Sequence, residues 1–236
     1  NLGVTLMGLG RHDEAEASYR QALQIKPDYA EVHSNLGAAL MEMGRPGEAE
    51  ASYRRALQIN PEYADVHNNL GAALQKMGHI VEAEPSYRRA IQIKPDHANA
   101  HLNLGNVLVD LGRPGEAEAR YRQALQIKPD YADAHHNLGT TLQNMDRLDE
   151  AEASYRRALQ IKPEYHEALS NLGGLLKGLH RLDEAEASYR RALQIKPDYA
   201  EAHNNLGSAL IYLGRLDEAE ASYRRALQIK PDYAEA

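Results

Sequence analysis

The chain has 236 residues, a formal net charge of -7, 26% charged residues and no cysteine. The acidic balance argues against a nucleic-acid partner, because phosphate binding needs clustered Lys and Arg, and here each Arg pair is interleaved with Glu. Disulfide and thiol chemistry are excluded from this segment, and no apolar run approaches the roughly 20 residues needed to span a bilayer, so no membrane partner is expected.

The sequence opens at Asn1 without Met and without a basic-plus-apolar leader, which reads as a boundary inside a longer array. The expected localisation is cytoplasmic, although lack of Cys does not separate the cytosol from an oxidising compartment. Pro27, Pro61, Pro95, Pro129, Pro163, Pro197 and Pro231 each sit in nearly the same phrase, 34 residues apart. That period makes residues 1-236 a single repeat array: a partial repeat at 1-29, full repeats at 30-63, 64-97, 98-131, 132-165, 166-199 and 200-233, and the start of another at 234-236. Units that pack only against their neighbours leave no closed core in which to build an enzyme site.

One unit, Ala30 to Tyr63, splits into two helices and contains nothing that reads as a strand. The first, AEVHSNLGAALMEM, stops at Gly44, a residue that takes the left-handed conformation ending a helix. Asp28, with Glu31 three residues on, reads as a capping box at its start. The second runs from about Glu48 to Gln58, carries Glu50 and Arg54 as an i,i+4 pair, and ends at Pro61. Fourteen helices are expected along the chain, the first truncated. Pro85 stands where other units have Ala51, Ala119 or Ala153, and a late start or mild bend is expected in its helix.

His33-x2-Leu36-Gly37-x2-Leu40, then Ala49-x3-Tyr53, then Pro61 resemble the tetratricopeptide repeat, and the resemblance covers the whole chain. Departures from the family pattern are His for Trp at the first place (Leu169 in one unit), Leu for Tyr at the fourth and Tyr for Phe at the sixth. The resemblance implies an all-α fold, a right-handed α-solenoid (superhelix) of stacked antiparallel helix pairs. It further implies a protein-protein interaction scaffold, no enzyme, whose first helices line a concave groove. No cofactor is expected. Gly37, Ala49 and Ala56 let two helices approach closely, while Leu40, Leu57 and Ile59 fill between them.

On the first helices, Val32, Leu36, Leu40 and Met43 recur as one stripe, expected to be buried. The stripe left over holds Glu31, Ser34, Asn35, Ala38, Met41 and Glu42, and this is where the units differ. Its fourth place reads Val4, Ala38, Ala72, Asn106, Thr140, Gly174, Ser208, and its fifth Met7, Met41, Gln75, Val109, Gln143, Lys177, Ile211. The second helices are almost copies of one another. A constant scaffold with a diversified face suits a surface that reads an extended polypeptide, with free drift of exposed positions as the alternative.

One place in the variable stripe is constant: Asn1, Asn35, Asn69, Asn103, Asn137, Asn171 and Asn205. An amide offers donors and an acceptor that match an extended peptide backbone, so these residues, with Asn106, Thr140, Gln143 and Gln75 beside them, are the candidate peptide-binding set. The series is similar to the asparagine ladder in the superhelix of O-GlcNAc transferases. The alternative is that each Asn bonds a neighbouring helix. The ladder reading expects the amides to have no protein partner. The Lys and Arg clamp with which tetratricopeptide co-chaperones hold a C-terminal carboxylate is missing: its leading place reads Glu31, Asp65, Asn99, Asp133, Glu167, Glu201.

His97 and His101 are an i,i+4 pair and His135 adjoins His136, but no carboxylate completes a ligand set, and the recurrence of His33, His67, His101, His135 and His203 favours packing over metal. Ser52 and its copies lack a paired base. The rival expectation is head-to-tail self-association, in which Leu2, Leu6 and Leu9 of one chain meet Leu227, Ile229 and Tyr233 of the next. The near-identity of the second helices also fits a designed or consensus-like array.

Overall fold

The computed structural model describes residues 2-232 and contains, among them, fourteen α-helices and no strand. They fall into two compact units, Asn1–Lys128 and Pro129–Ala236. The first unit holds α1 (Leu2–Gly8), α2 (His12–Ile25), α3 (Ala30–Glu42), α4 (Pro46–Ile59), α5 (Ala64–Lys76), α6 (Ile80–Ile93), α7 (Ala98–Asp110) and α8 (Pro114–Ile127). The second holds α9 (Ala132–Asn144), α10 (Leu148–Ile161), α11 (His166–Gly178), α12 (Leu182–Ile195), α13 (Ala200–Tyr212) and α14 (Leu216–Ile229). Within each unit every odd-numbered helix packs on the even-numbered helix after it, and that helix packs on the next odd-numbered one.

Each hairpin is closed by a turn whose geometry the sequence dictates. Gly44 sits at φ 71°, where the Gly44 amide donates to the Met41 carbonyl at 3.1 Å and the Arg45 amide to the Leu40 carbonyl at 2.8 Å. Together these bonds satisfy carbonyls that the end of α3 would otherwise leave open. Asp146 and His180 hold the same place at φ 60° and 57°, without glycine's freedom.

The close approach of the two helices in a hairpin rests on one pair. A Cβ added at Gly37 would lie 2.5 Å from Cε1 of Tyr53, whose ring is buried. Gly71 with Tyr87, Gly139 with Tyr155 and Gly173 with Tyr189 repeat the contact. Ala49 and Ala56 are fully buried on either side of Tyr53, so the expected role of the small residues holds. Between repeats, Ala158, Tyr165 and Ala168 form a small core with Ala132 and Leu159 packed against it.

Two polar links fasten successive repeats. The recurrent histidine points its Nε2 at the carbonyl of the proline six residues earlier: His33 to Pro27 at 2.8 Å, His67 to Pro61 at 2.9 Å, His203 to Pro197 at 3.0 Å. Where Leu169 replaces it, Arg191 donates to the Pro163 carbonyl instead, at 2.9 Å. In the turns, Arg45 reaches back to Glu16 and forward to Glu48, both at 2.6 Å, and Arg113 and Arg181 do the same with Glu84 and Glu116 and with Glu152 and Glu184. The Arg45 hydrogen bond is the leading cause that holds the Glu16 carboxyl below its ordinary range.

Several expectations need correction. The capping box does not form: Tyr29 precedes α3 with no side-chain cap, and Asp28 accepts instead from Arg55 of α4 at 2.6 Å. A charged guanidinium outcompetes a backbone amide for the carboxylate. The second helix starts at Pro46 rather than Glu48, because a proline at the first position has no amide to lose. The helix containing Pro85 is not late: α6 begins at Ile80, in register with the others. Proline's fixed φ is already helical, and Pro85, inside α6, removes the amide donor that would meet the Val81 carbonyl. Ser34, placed on the exposed stripe, is buried, whereas Val32 and Met43 are only half-buried. The Glu50 to Arg54 pair forms as expected, at 2.7 Å.

Candidate functional site

The candidate residues lie on the odd-numbered helices, in register. In the first unit Asn35, Asn69 and Asn103 are all half-buried, and in the second Asn137, Asn171 and Asn205 are as well. Asn1 lies outside the described residues.

Asn69, Asn103, Asn137 and Asn171 do have protein partners, which corrects the expectation of partnerless ladder amides. Asn103 Nδ2 donates to Asn68 Oδ1 at 3.0 Å, and Asn171 Nδ2 lies 2.9 Å from His136 Nε2 and 3.4 Å from Thr140 Oγ1. In each case the partner precedes by about one repeat, so the amide ties one first helix to the one before it. Asn69 accepts from Asn68 Nδ2 at 3.3 Å. Asn35 and Asn205 make no such bond among the described residues. Burial lowers the pKa of His136. A neutral ring accepting from Asn171 carries its proton on Nδ1, which faces the Tyr165 hydroxyl at 3.1 Å.

The flanking candidates have a role that the sequence reading missed. The buried tyrosines of α6, α8 and α10 present their hydroxyls to the fourth and fifth places of the stripe. Tyr87 donates to Gln75 at 3.1 Å, Tyr121 to Asn106 at 2.9 Å, and Tyr155 to Gln143 at 2.9 Å, with Thr140 Oγ1 at 3.2 Å from the same hydroxyl. Burial pushes all of these phenols up where a shift is resolved, so they act as neutral donors. The signal was present: a tyrosine in a crowded core needs an acceptor, and Gln, Asn and Thr recur on the helix it faces.

A different surface also recurs. Open depressions lie between successive second helices, as at Arg156, Leu159, Leu169, Leu172 and Arg191 in the second unit and Arg54, Leu57, His67, Leu70 and Arg89 in the first. Their lining barely changes from repeat to repeat, unlike the ladder face. Ser52, the copied serine of these helices, donates to the Glu48 carbonyl of its own helix at 3.1 Å. Of the residues expected at the chain-end contact, Leu2 and Leu9 are exposed, Leu6 is buried and unavailable, and Tyr233 lies outside the described residues. His97 faces Asp65 at 3.1 Å and His101 faces the Pro95 carbonyl at 2.9 Å, and no metal-holding cluster occurs among the described residues. No described helix is long and apolar enough to cross a membrane.

Helix hairpins of this design, fastened Gly to Tyr inside and His to Pro between, define an α-helical repeat protein. A tetratricopeptide repeat model matches residues 28–96, 62–130, 96–164, 130–198 and 164–232, and a second TPR model matches 3–44. The chain belongs to the tetratricopeptide repeat family. Among solved structures it is similar to YrrB, described as a TPR protein with an unusual peptide-binding site, at 25% identity and a TM-score of 0.63, covering 78% of this chain and 94% of that one. It is also similar to pilF of Pseudomonas aeruginosa, at 22% identity and a TM-score of 0.77, covering 95% and 96%. A third likeness is to the APC/C hetero-tetramer Cut9-Hcn1, at 15% identity and a TM-score of 0.83, covering 99% of this chain and 46% of that one. The last two show the fold alone. No curated protein matches the chain. The described residues form an all-α helical repeat of a family of protein-interaction scaffolds.

Proposed function

We propose that the odd-numbered helices of each unit bind an extended polypeptide, held along its backbone by the asparagine series and read by the fourth and fifth places. The observation that carries this is the contrast on one face: Asn35, Asn69, Asn103, Asn137, Asn171 and Asn205 stay constant and half-buried while their neighbours change. The structural bonds of Asn103 and Asn171 use the amide nitrogen and leave Oδ1 available to a backbone N-H. Asn35 and Asn205 retain donors and acceptor alike. The peptide-binding site ascribed to YrrB, a similar structure, supports the reading. A protein partner suits the charge, since the turn arginines are neutralised by Glu and form no basic track for nucleic acid.

The test is an array of random twelve-residue peptides probed with the parent chain and with Asn35→Ala and Asn205→Ala, whose loss disturbs no side-chain bond among the described residues. Weaker binding is expected from Asn35→Ala for the peptides held by the first unit and from Asn205→Ala for those held by the second. Undiminished binding of every positive peptide would reject the asparagine role, and retained binding after substitution of Leu159 and Leu172 keeps the second-helix depressions out of the account.

A further inference from the structure

One tyrosine in the second unit breaks the pattern of satisfied hydroxyls. Tyr189 is fully buried, yet its hydroxyl has no hydrogen-bond partner. The cause is local: the fourth place here is Gly174, and the fifth is Lys177, which has no acceptor to give. A Cβ built on Gly174 meets nothing within 4 Å except the Tyr189 hydroxyl, at 3.7 Å, so there is room where other repeats carry Asn106 or Thr140. Lys177 is half-buried, and its ammonium donates to Ser208 Oγ at 3.1 Å, on the next first helix, with no carboxylate beside it. One turn along α11 from Gly174, Lys177 supplies a cation held by Ser208, and the Tyr189 hydroxyl beside Gly174 is an unspent donor. A half-buried cation and a buried unpaired hydroxyl each cost stability unless an acceptor arrives.

We propose that the Gly174 vacancy is a subsite for a carboxylate of the bound polypeptide, accepting from Lys177 Nζ and Tyr189 Oη. The proposal rests on the polypeptide-binding reading above and deepens it, by giving one repeat a preference for an acidic residue. It involves places different from the co-chaperone clamp, which the leading residues Asp133, Glu167 and Glu201 rule out. Burial pushes the Tyr189 phenol up, which keeps it a donor across the neutral range. Elsewhere the chain fills the same vacancy itself, Asn106 serving Tyr121 at 2.9 Å, and Gly174→Asn should therefore both close the subsite and satisfy the hydroxyl.

The experiment measures, by fluorescence anisotropy, acetylated and amidated twelve-residue peptides from the array that carry one Glu, and the same peptides with Gln in its place. A free-carboxylate version of the Gln peptide distinguishes a terminal from a side-chain source. The parent chain should favour Glu over Gln by about tenfold, Lys177→Gln should erase that preference, and Tyr189→Phe should reduce it several-fold. Gly174→Asn should erase it while raising the melting temperature, a readout that separates a filled subsite from a damaged fold. Equal binding of Glu and Gln peptides overturns the subsite and leaves the polypeptide reading standing. If no peptide binds, that reading fails, and titration of the tyrosine-labelled chain with acetate, followed by NMR, decides the subsite: a saturable shift of Tyr189 that is lost in Lys177→Gln sustains it, and no shift overturns it.

Discussion

Two residues at the same place in adjacent repeats of the second unit should respond to alanine with opposite sign. Asn171→Ala removes the amide that meets His136 at 2.9 Å and Thr140 at 3.4 Å. The hydrogen bond itself contributes about 1 kcal/mol and the stranded imidazole nitrogen adds roughly 0.5 kcal/mol more, the low end because the site is only half-buried. Alanine's better helix propensity returns about 0.5 kcal/mol, so the net loss is about 1 kcal/mol. Asn205→Ala breaks no side-chain bond among the described residues and should gain the propensity, about 0.5 kcal/mol. The separation of about 1.5 kcal/mol corresponds to roughly 3–6 °C in melting temperature for a chain of this size. Because repeats need not melt together, hydrogen exchange resolved on α11 and α13 is the assay that assigns each change to its helix. Equal shifts, or a larger loss for Asn205→Ala, would refute the assignment of Asn171 as a tie between helices.

Gly71→Ala places a Cβ 2.7 Å from Cε1 of Tyr87 and should cost about 1–3 kcal/mol, seen as a lower urea midpoint. Asp146→Gly and His180→Gly, at φ 60° and 57°, should each raise the melting temperature, by about 1 kcal/mol of stability, while glycine introduced at half-buried Arg147 should lower it. Pro85→Ala restores one helical hydrogen bond in α6 and should raise the melting temperature; an unchanged or lower value contradicts that account. Glu16 has its folded pKa depressed chiefly by Arg45, so the stability it contributes is present above the ordinary carboxylate pKa and is lost as pH falls through the folded value. A melting temperature that stays flat on acidification below about pH 4 would count against the Arg–Glu links.

Much of the fold could be read from the chain because it is written repeatedly. Proline spacing gave the unit, and Gly44 marked the turn that its φ of 71° confirms. What escaped involved choices between partners distant in sequence. Asp28 was paired with its local helix start, but Arg55 of the following helix took it. Ser34 was read from helical spacing as exposed, yet stacking of neighbouring repeats buries it. At the candidate site the asparagine series was visible, but nothing local revealed that Asn68 and His136 stand where they can engage Asn103 and Asn171. The hydroxyls of Tyr87, Tyr121 and Tyr155 turned supposed ligand contacts into partial structural supports, which only a count of buried donors would have anticipated.

The most direct test of the central claim maps where a polypeptide lands. With side-chain amides and leucine methyls labelled, a peptide selected from the array is titrated and followed by NMR. The account predicts that the asparagine amide signals of the unit holding the peptide, Asn35 with its neighbours or Asn205 with its neighbours, shift and saturate together, while the methyls of Leu159 and Leu172 stay in place. Saturable shifts confined to those methyls, with the asparagine amides unmoved, would contradict it.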